Sequence, residues 1–214
     1  MFDLSHTIAG EYLCGFEMPW EALSGIGKMI ITLGKRLGSE YEEVSENVWI
    51  HKSASIAPSA YIGAPAIIGA DTQIRHCAYI RGNALVGRGC VVGNSTELKN
   101  VILFDGVQVP HYNYVGDSIL GYNSHMGAGA ITSNVKSDKS EVIIHANKEY
   151  RTGLIKVGAM LGDFAEIGCN SVLNPGTVIG RRSCVYPLSN VRGVVAADSI
   201  YKGDGKIVPK QSKA

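Results

Sequence analysis

An aliphatic side chain returns at every sixth position along the first half of this chain. Ile50, Ile56, Ile62, Ile68, Ile74, Ile80, Val86, Val92 and Leu98 follow one another without a gap. From Ile56 on, a small residue stands two places earlier in each repeat: Ala54, Ala60, Ala66, Thr72, Ala78, Ala84, Cys90 and Thr96. The register returns in Ile155, Leu161, Ile167, Leu173, Ile179, Val185 and Val191, with Ala159, Ala165, Ser171, Thr177, Ser183 and Ser189 as small partners. A helix needs apolar spacings of three and four, and a half-buried strand needs alternation, so neither yields a period of six. Six residues supply one short strand and one turn. Three such units close a triangular coil, and the next coil pairs its edge about 4.8 Å away. The periodic Ile and Val fill the triangle, and the small residues sit near its corners. The expectation is one all-β, single-stranded parallel β-helix of roughly seven to ten coils. Spacing alone leaves its hand open, and the general rule for parallel crossovers favours the right.

The two ends lack the period. Residues 1–46 form an N-terminal segment in which Leu23, Ile26, Ile30, Leu33 and Leu37 step by three and four. Pro19 suits a first helical turn, Lys35 and Arg36 suit a last turn, and Gly38 suits the stop. One amphipathic α-helix over about 19–37 is expected, although Gly25 and Gly27 each cost about 1 kcal/mol relative to Ala. The β-helix is expected over 47–197. Residues 198–214 turn polar and read as a loose tail.

Composition narrows the function. Formal net charge is +1, from 20 basic and 19 acidic residues, so the basic excess that a general nucleic-acid binder needs is missing. With 26 Gly and only 7% aromatics, the chain suits a backbone of many tight turns. Cys14, Cys77, Cys90, Cys169 and Cys184 form no Cys-x-x-Cys pair, so no metal site is expected. An odd, scattered set fits a reducing compartment. The N-terminus carries neither a basic region nor a long apolar run, and no stretch is apolar long enough to span a bilayer. A cytoplasmic protein is the expectation.

Between residues 99 and 154 the register fails. A solenoid that interrupts itself projects loops, and loops on a rigid scaffold commonly carry function. Inserted loops are expected at about 105–117 and 134–153. Between them lies His125-Met126-Gly127-Ala128-Gly129-Ala130-Ile131-Thr132-Ser133-Asn134.

Here the sequence resembles a known family. Arg81-Gly82, Gly93-Asn94, Glu97-Leu98-Lys99, the His-x-x-Tyr-x-Gly-Asp element at His111–Asp117 and Gly127-Ala128-Gly129 match, without gaps, the acetyltransferase domain of the bifunctional enzymes that make UDP-N-acetylglucosamine. Lys156-Val157-Gly158-Ala159-Met160-Leu161-Gly162-Asp163 and Asn174-Pro175-Gly176-Thr177-Val178-Ile179-Gly180 resemble the archaeal-type sugar-1-phosphate transferases. The resemblance covers most of 47–192, and it implies a left-handed β-helix and a homotrimer with sites between subunits. It implies acetyl-CoA-dependent N-acetylation of an amino-sugar 1-phosphate. His111 would be the general base, since neutral imidazole can take the proton of an attacking amine. Arg81, Lys99 and Tyr114 would hold the sugar phosphate, and Ala128, Asn134 and Cys169 would lie along acetyl-CoA. Backbone N–H groups of the Gly127-Ala128-Gly129 turn would stabilise the tetrahedral oxyanion.

The departures are specific. His125 replaces the Asn that contacts the sugar, and Cys169 stands where Ser is usual. The loop after Asn134 is longer, so Lys139 is matched to the family's substrate-binding lysine by approximate position only. The Gly-rich, Arg-containing signature of the nucleotidyltransferase domain does not occur, so no uridylyl transfer is expected of this chain. A second reading stays open: a catalytically silent sugar-nucleotide-binding module that partners a separate nucleotidyltransferase.

Overall fold

The computed structural model describes residues 1–203 and 205–211. It is a parallel β-solenoid with three faces. On the first face Trp49, Ile67, Leu85, Ile102, Ile119, Met160, Val178 and Val194 stack in register, one per coil. On the second, Ile56, Ile74 and Val92 begin the inward column, which continues through Val109, Met126, Ile167 and Val185 to Tyr201. On the third, Ile62, Ile80, Leu98 and Val115 lead to Thr132, Leu173 and Val191. From Ile68 on, nearly all the six-period aliphatics are buried and form one continuous core. Ile155 is the exception: it is 55% exposed and lies off the solenoid, so the second run of repeats starts at Leu161.

The break in register has two causes. Ile62↔Ile80 and Ala66↔Ala84 are 18 residues apart, whereas Leu98↔Val115 and Gln108↔His125 are 17 apart. The shortening falls at one corner. Glu97–Leu103 and Tyr114–Leu120 run as unbroken strands that bend through Asn100 and Asp117, both left-handed with φ 55° and 48°. Polar Asn and Asp tolerate that conformation better than most residues. Residues 105–117, expected as an inserted loop, are therefore ordinary coil with Gln108–His111 as a solenoid strand. The second interruption is a real insertion. Ile119 pairs with Met160, a step of 41, and the hairpin Ile143–His145/Glu149–Arg151 lies between them. Val142 and Ile144 on this insertion are buried against the Gly176 turn, and Tyr150 meets the Trp20 ring edge-on.

The N-terminal segment explains why the outward side chains of the first face are apolar. Ile67, Leu85, Ile102, Ile119 and Met160 point away from the solenoid interior yet are fully buried. Ile67, Leu85 and Ile102 lie under an α-helix, Ile26–Gly34, and Ile119 lies under a 3₁₀ helix, Pro19–Gly25. The single helix expected over 19–37 is thus two shorter ones. Its glycines are close-approach positions: a Cβ on Gly34 would run into the Trp49 indole, and one on Gly27 into the Asn83 amide. Residues 1–6 strap one corner, where the Asp3 N–H donates to the fully buried Asp163 carboxylate at 2.8 Å.

Antiparallel strands cap both ends. Tyr41–Ser45 pairs with Val48–His51, and Ile207–Pro209 pairs with Ser199–Tyr201. Residues 198–203 and 205–211, expected as loose tail, carry this second cap, while 204 and 212–214 lie outside the described residues. Capping occupies the edge groups that a solenoid otherwise presents to another chain.

Candidate active site

The corner between the second and third faces carries a ladder of backbone bonds. From Ser95 on, a residue with positive φ at each level donates its N–H to the carbonyl of the coil before. Tyr112 donates to Asn94 at 2.9 Å, Gly129 to His111 at 3.0 Å, Asn170 to Ala128 at 2.8 Å and Leu188 to Cys169 at 2.9 Å. His111, Ala128 and Cys169 are therefore consecutive rungs, about 4.8 Å apart. Asn113, 2% exposed, binds two of these levels together. Its carbonyl oxygen accepts the His111 N–H at 3.1 Å, and its amide donates to Gly127 O at 2.8 Å and Ala130 O at 3.0 Å.

The three amides of the Gly127-Ala128-Gly129 turn are not equivalent. Gly127 N–H is used on Ile167 O at 2.7 Å, and Gly129 N–H on His111 O. Ala128 N–H has no acceptor among the described residues, so one donor of the expected oxyanion site remains.

The opposite corner, between the third and first faces, gathers Arg81, Lys99, Tyr114 and Asn134. Lys99 Nζ lies 3.0 and 2.9 Å from the two Asp117 oxygens, and Asn100 Nδ2 donates to the same carboxylate at 2.9 Å. Asn134 Nδ2 bridges Asp117 Oδ2 and the Tyr114 hydroxyl. Burial pushes the Tyr114 phenol above its ordinary pKa, reinforced by the negative Asp117 and Glu97. Arg81 Nη1 is 2.9 Å from Glu97 Oε1, and that bond raises the guanidinium pKa further. Both cations expected to meet a phosphate thus already face a carboxylate.

The remaining expected residues lie apart from both corners. His125 is on the second face, where its Nδ1 sits 2.9 Å from Glu166 Oε2. Lys139 is exposed on the insertion at φ 55°. Asn134, expected beside acetyl-CoA, stands with Tyr114 and Asp117. Sequence reasoning gave no role to Asp117, Asn113 or Glu97, although Asp117 and Glu97 lie inside the motifs that carried the resemblance. Among the described residues no group of three or more His, Cys, Asp or Glu side chains is arranged to hold a metal.

This geometry defines a hexapeptide-repeat left-handed β-helix. In structure the chain is similar to a hexapeptide transferase family protein from Anaplasma phagocytophilum, with a TM-score of 0.52 at 18% identity, over 77% of this chain and 79% of that one. The GMPPB C-terminal domain family matches residues 71–148. Homologues at about 30% identity are GlmU bifunctional proteins and sugar-1-phosphate transferases. The Methanococcus maripaludis "Bifunctional protein GlmU" is 31% identical over 197 residues, covering 90% of this chain and 48% of the relative. A "Bifunctional sugar-1-phosphate nucleotidylyltransferase/acetyltransferase" from Sulfurisphaera tokodaii is 30% identical over 161 residues, 75% of this chain and 40% of the relative. The chain spans about half the length of the curated relatives it matches.

Proposed function

We propose that this chain is a cytoplasmic acetyl-CoA-dependent N-acetyltransferase that acts on an amino-sugar 1-phosphate or a close nucleotide-sugar relative, in the synthesis of UDP-N-acetylglucosamine or a similar compound. The observation that carries the reading is the corner ladder. An imidazole with no protein partner among the described residues stands one rung from an unused backbone N–H at Ala128.

The acceptor amine attacks the thioester carbonyl carbon. As the C–N bond forms, the carbonyl π pair moves to oxygen, and Ala128 N–H donates to that oxyanion. His111 takes the proton that the amine loses. Collapse breaks the C–S bond, and the imidazolium returns the proton to the departing CoA thiolate. Ala128 and Cys169, on successive rungs above His111, offer a track for the cofactor's pantetheine arm.

The functional unit is a homotrimer in this reading. His111 and the Lys99–Asp117 pair flank the third face from opposite corners. Gly116, the register partner of Lys99, is five positions after His111, a span of up to about 16 Å at ~3.3 Å per residue. A neighbouring copy laid against the third face brings one corner against the other. The test is thiol release from acetyl-CoA over a panel of amino-sugar phosphates, with oligomeric state measured by sedimentation. Acceptor-dependent release by a trimer is expected. A monomer, or no release with any acceptor, contradicts the proposal.

A further inference from the structure

The groove that holds His111 does not lead toward Lys99. It runs along the second-to-third corner away from Ala128, past Asn94 to His76 and Arg75, with Gln73 and Ser55 on its wall. Its volume is about 570 Å³, within the roughly 300–1,000 Å³ usual for small-molecule sites. Among the described residues lining it there is no carboxylate. Arg75 is its one fixed charge. Gln73 Oε1 accepts from Arg75 Nε at 3.3 Å and Nη2 at 3.0 Å, which holds the guanidinium on its own coil. His76 Nδ1 lies 3.0 Å from Ser59 Oγ, which fixes the ring.

The contrast with the other corner decides the assignment. Arg81 and Lys99 are compensated by Glu97 and Asp117, whereas Arg75 faces no acid in the groove. Guanidinium binds phosphate oxygens through paired donors. We infer that Arg75, with His76 beside it, binds an anionic group of the acceptor, and that the acceptor is a nucleoside-diphosphate-linked amino sugar. The inference rests on the acetyl-transfer reading, in which the amine lies at His111. His76 is two rungs from His111 through Asn94, about 10 Å along the solenoid at ~4.8 Å per rung. A phosphate on the carbon beside the amine stays near the His111 rung. A second phosphate, with its nucleoside beyond, reaches the level of Arg75.

Titration calorimetry on the full chain tests this with UDP-glucosamine and glucosamine 1-phosphate as probes. UDP-glucosamine should bind more tightly. Arg75→Gln should weaken it about tenfold, the scale of a lost charge-assisted contact. Glucosamine 1-phosphate and acetyl-CoA should each stay within about twofold on that same scale, the latter reporting an intact fold. Equal loss for both sugar probes, or no loss for either, overturns the assignment. The two readings fail separately. Arg75-dependent binding without thiol release would sink acetyl transfer and keep the groove. Thiol release with Arg75-independent acceptor binding would do the reverse.

Discussion

Lys99 and Asp117 form a two-pronged ion pair, 3.0 and 2.9 Å, across a corner where the coil is one residue short. The Asp117 side chain is 5% exposed and that of Lys99 is 26% exposed. Removing the lysine strands a buried carboxylate, which costs about 3–5 kcal/mol for a fully buried pair. Because water reaches Lys99, the expected loss for Lys99→Met is smaller, about 1–3 kcal/mol. Adding Asp117→Asn should recover part of it, since no charge is then left unpaired. Chemical denaturation of the two single variants and the double variant measures the coupling. Additive losses would show that the pair does not support the corner. A fall in substrate affinity in Lys99→Met alone therefore cannot separate binding from folding, and the double variant is the needed control.

Asn113 makes a different kind of joint. Its side chain ties the His111 rung to the turn that presents Ala128, and it is almost wholly buried. Asn113→Ala leaves Gly127 and Ala130 carbonyls short of a donor, with a loss of about 2–4 kcal/mol expected. For a chain of this size that corresponds to a fall in Tm of roughly 4–16 °C. A Tm within 1–2 °C of the parent would mean that the amide does not join the two rungs.

The cysteines give a reading of burial and of the cofactor track together. Cys90 is fully buried, its thiol donates to Phe104 O at 3.1 Å, and burial pushes its pKa up to about 12. Thiolate is the reacting form, so at pH 8 Cys90 presents only about one part in 10⁴ of it. Raising the pH from 7 to 9 should leave Cys90 unlabelled by iodoacetamide while exposed Cys14, Cys77 and Cys169 react. Acetyl-CoA should slow labelling of Cys169 and not of Cys14, as read by peptide mass mapping. Unchanged labelling of Cys169 would remove it from the cofactor's path.

Much of the fold was legible because each coil repeats the same steric demand. An inward Ile or Val must recur where the triangle needs filling, so the hexad survives in sequence. The shortened corner hid itself. From Leu98 to Leu103 and from Val115 to Leu120 the aliphatic step is five, which reads as a lost period although both pairs line the same interior. Ile155 kept the period by accident, on a segment that never enters the solenoid. The buried outward column of Ile67, Leu85, Ile102 and Ile119 was visible only as extra apolar residues, since nothing in the repeat says which face the N-terminal helices cover.

The site divides along the same line. His111, Ala128 and Cys169, named by the family resemblance, are spaced by 17 and 41, the same steps as the inward residues Val109, Met126 and Ile167, so they fall on successive coils. The pairing of Arg81 with Glu97 and of Lys99 with Asp117 depends on side-chain direction at a corner, which spacing does not reveal. Arg75 belongs to no motif, and the lack of a carboxylate among the described residues lining its groove is visible only in three dimensions.

The most direct measurement of the central claim is steady-state acetyl transfer by His111→Ala, set beside its affinity for acetyl-CoA. If His111 is the base, turnover should fall by about 10²–10⁴ while acetyl-CoA affinity and the unfolding midpoint stay near the parent's. A fall of less than about threefold with the fold intact would contradict the account, because general-base catalysis contributes far more than that.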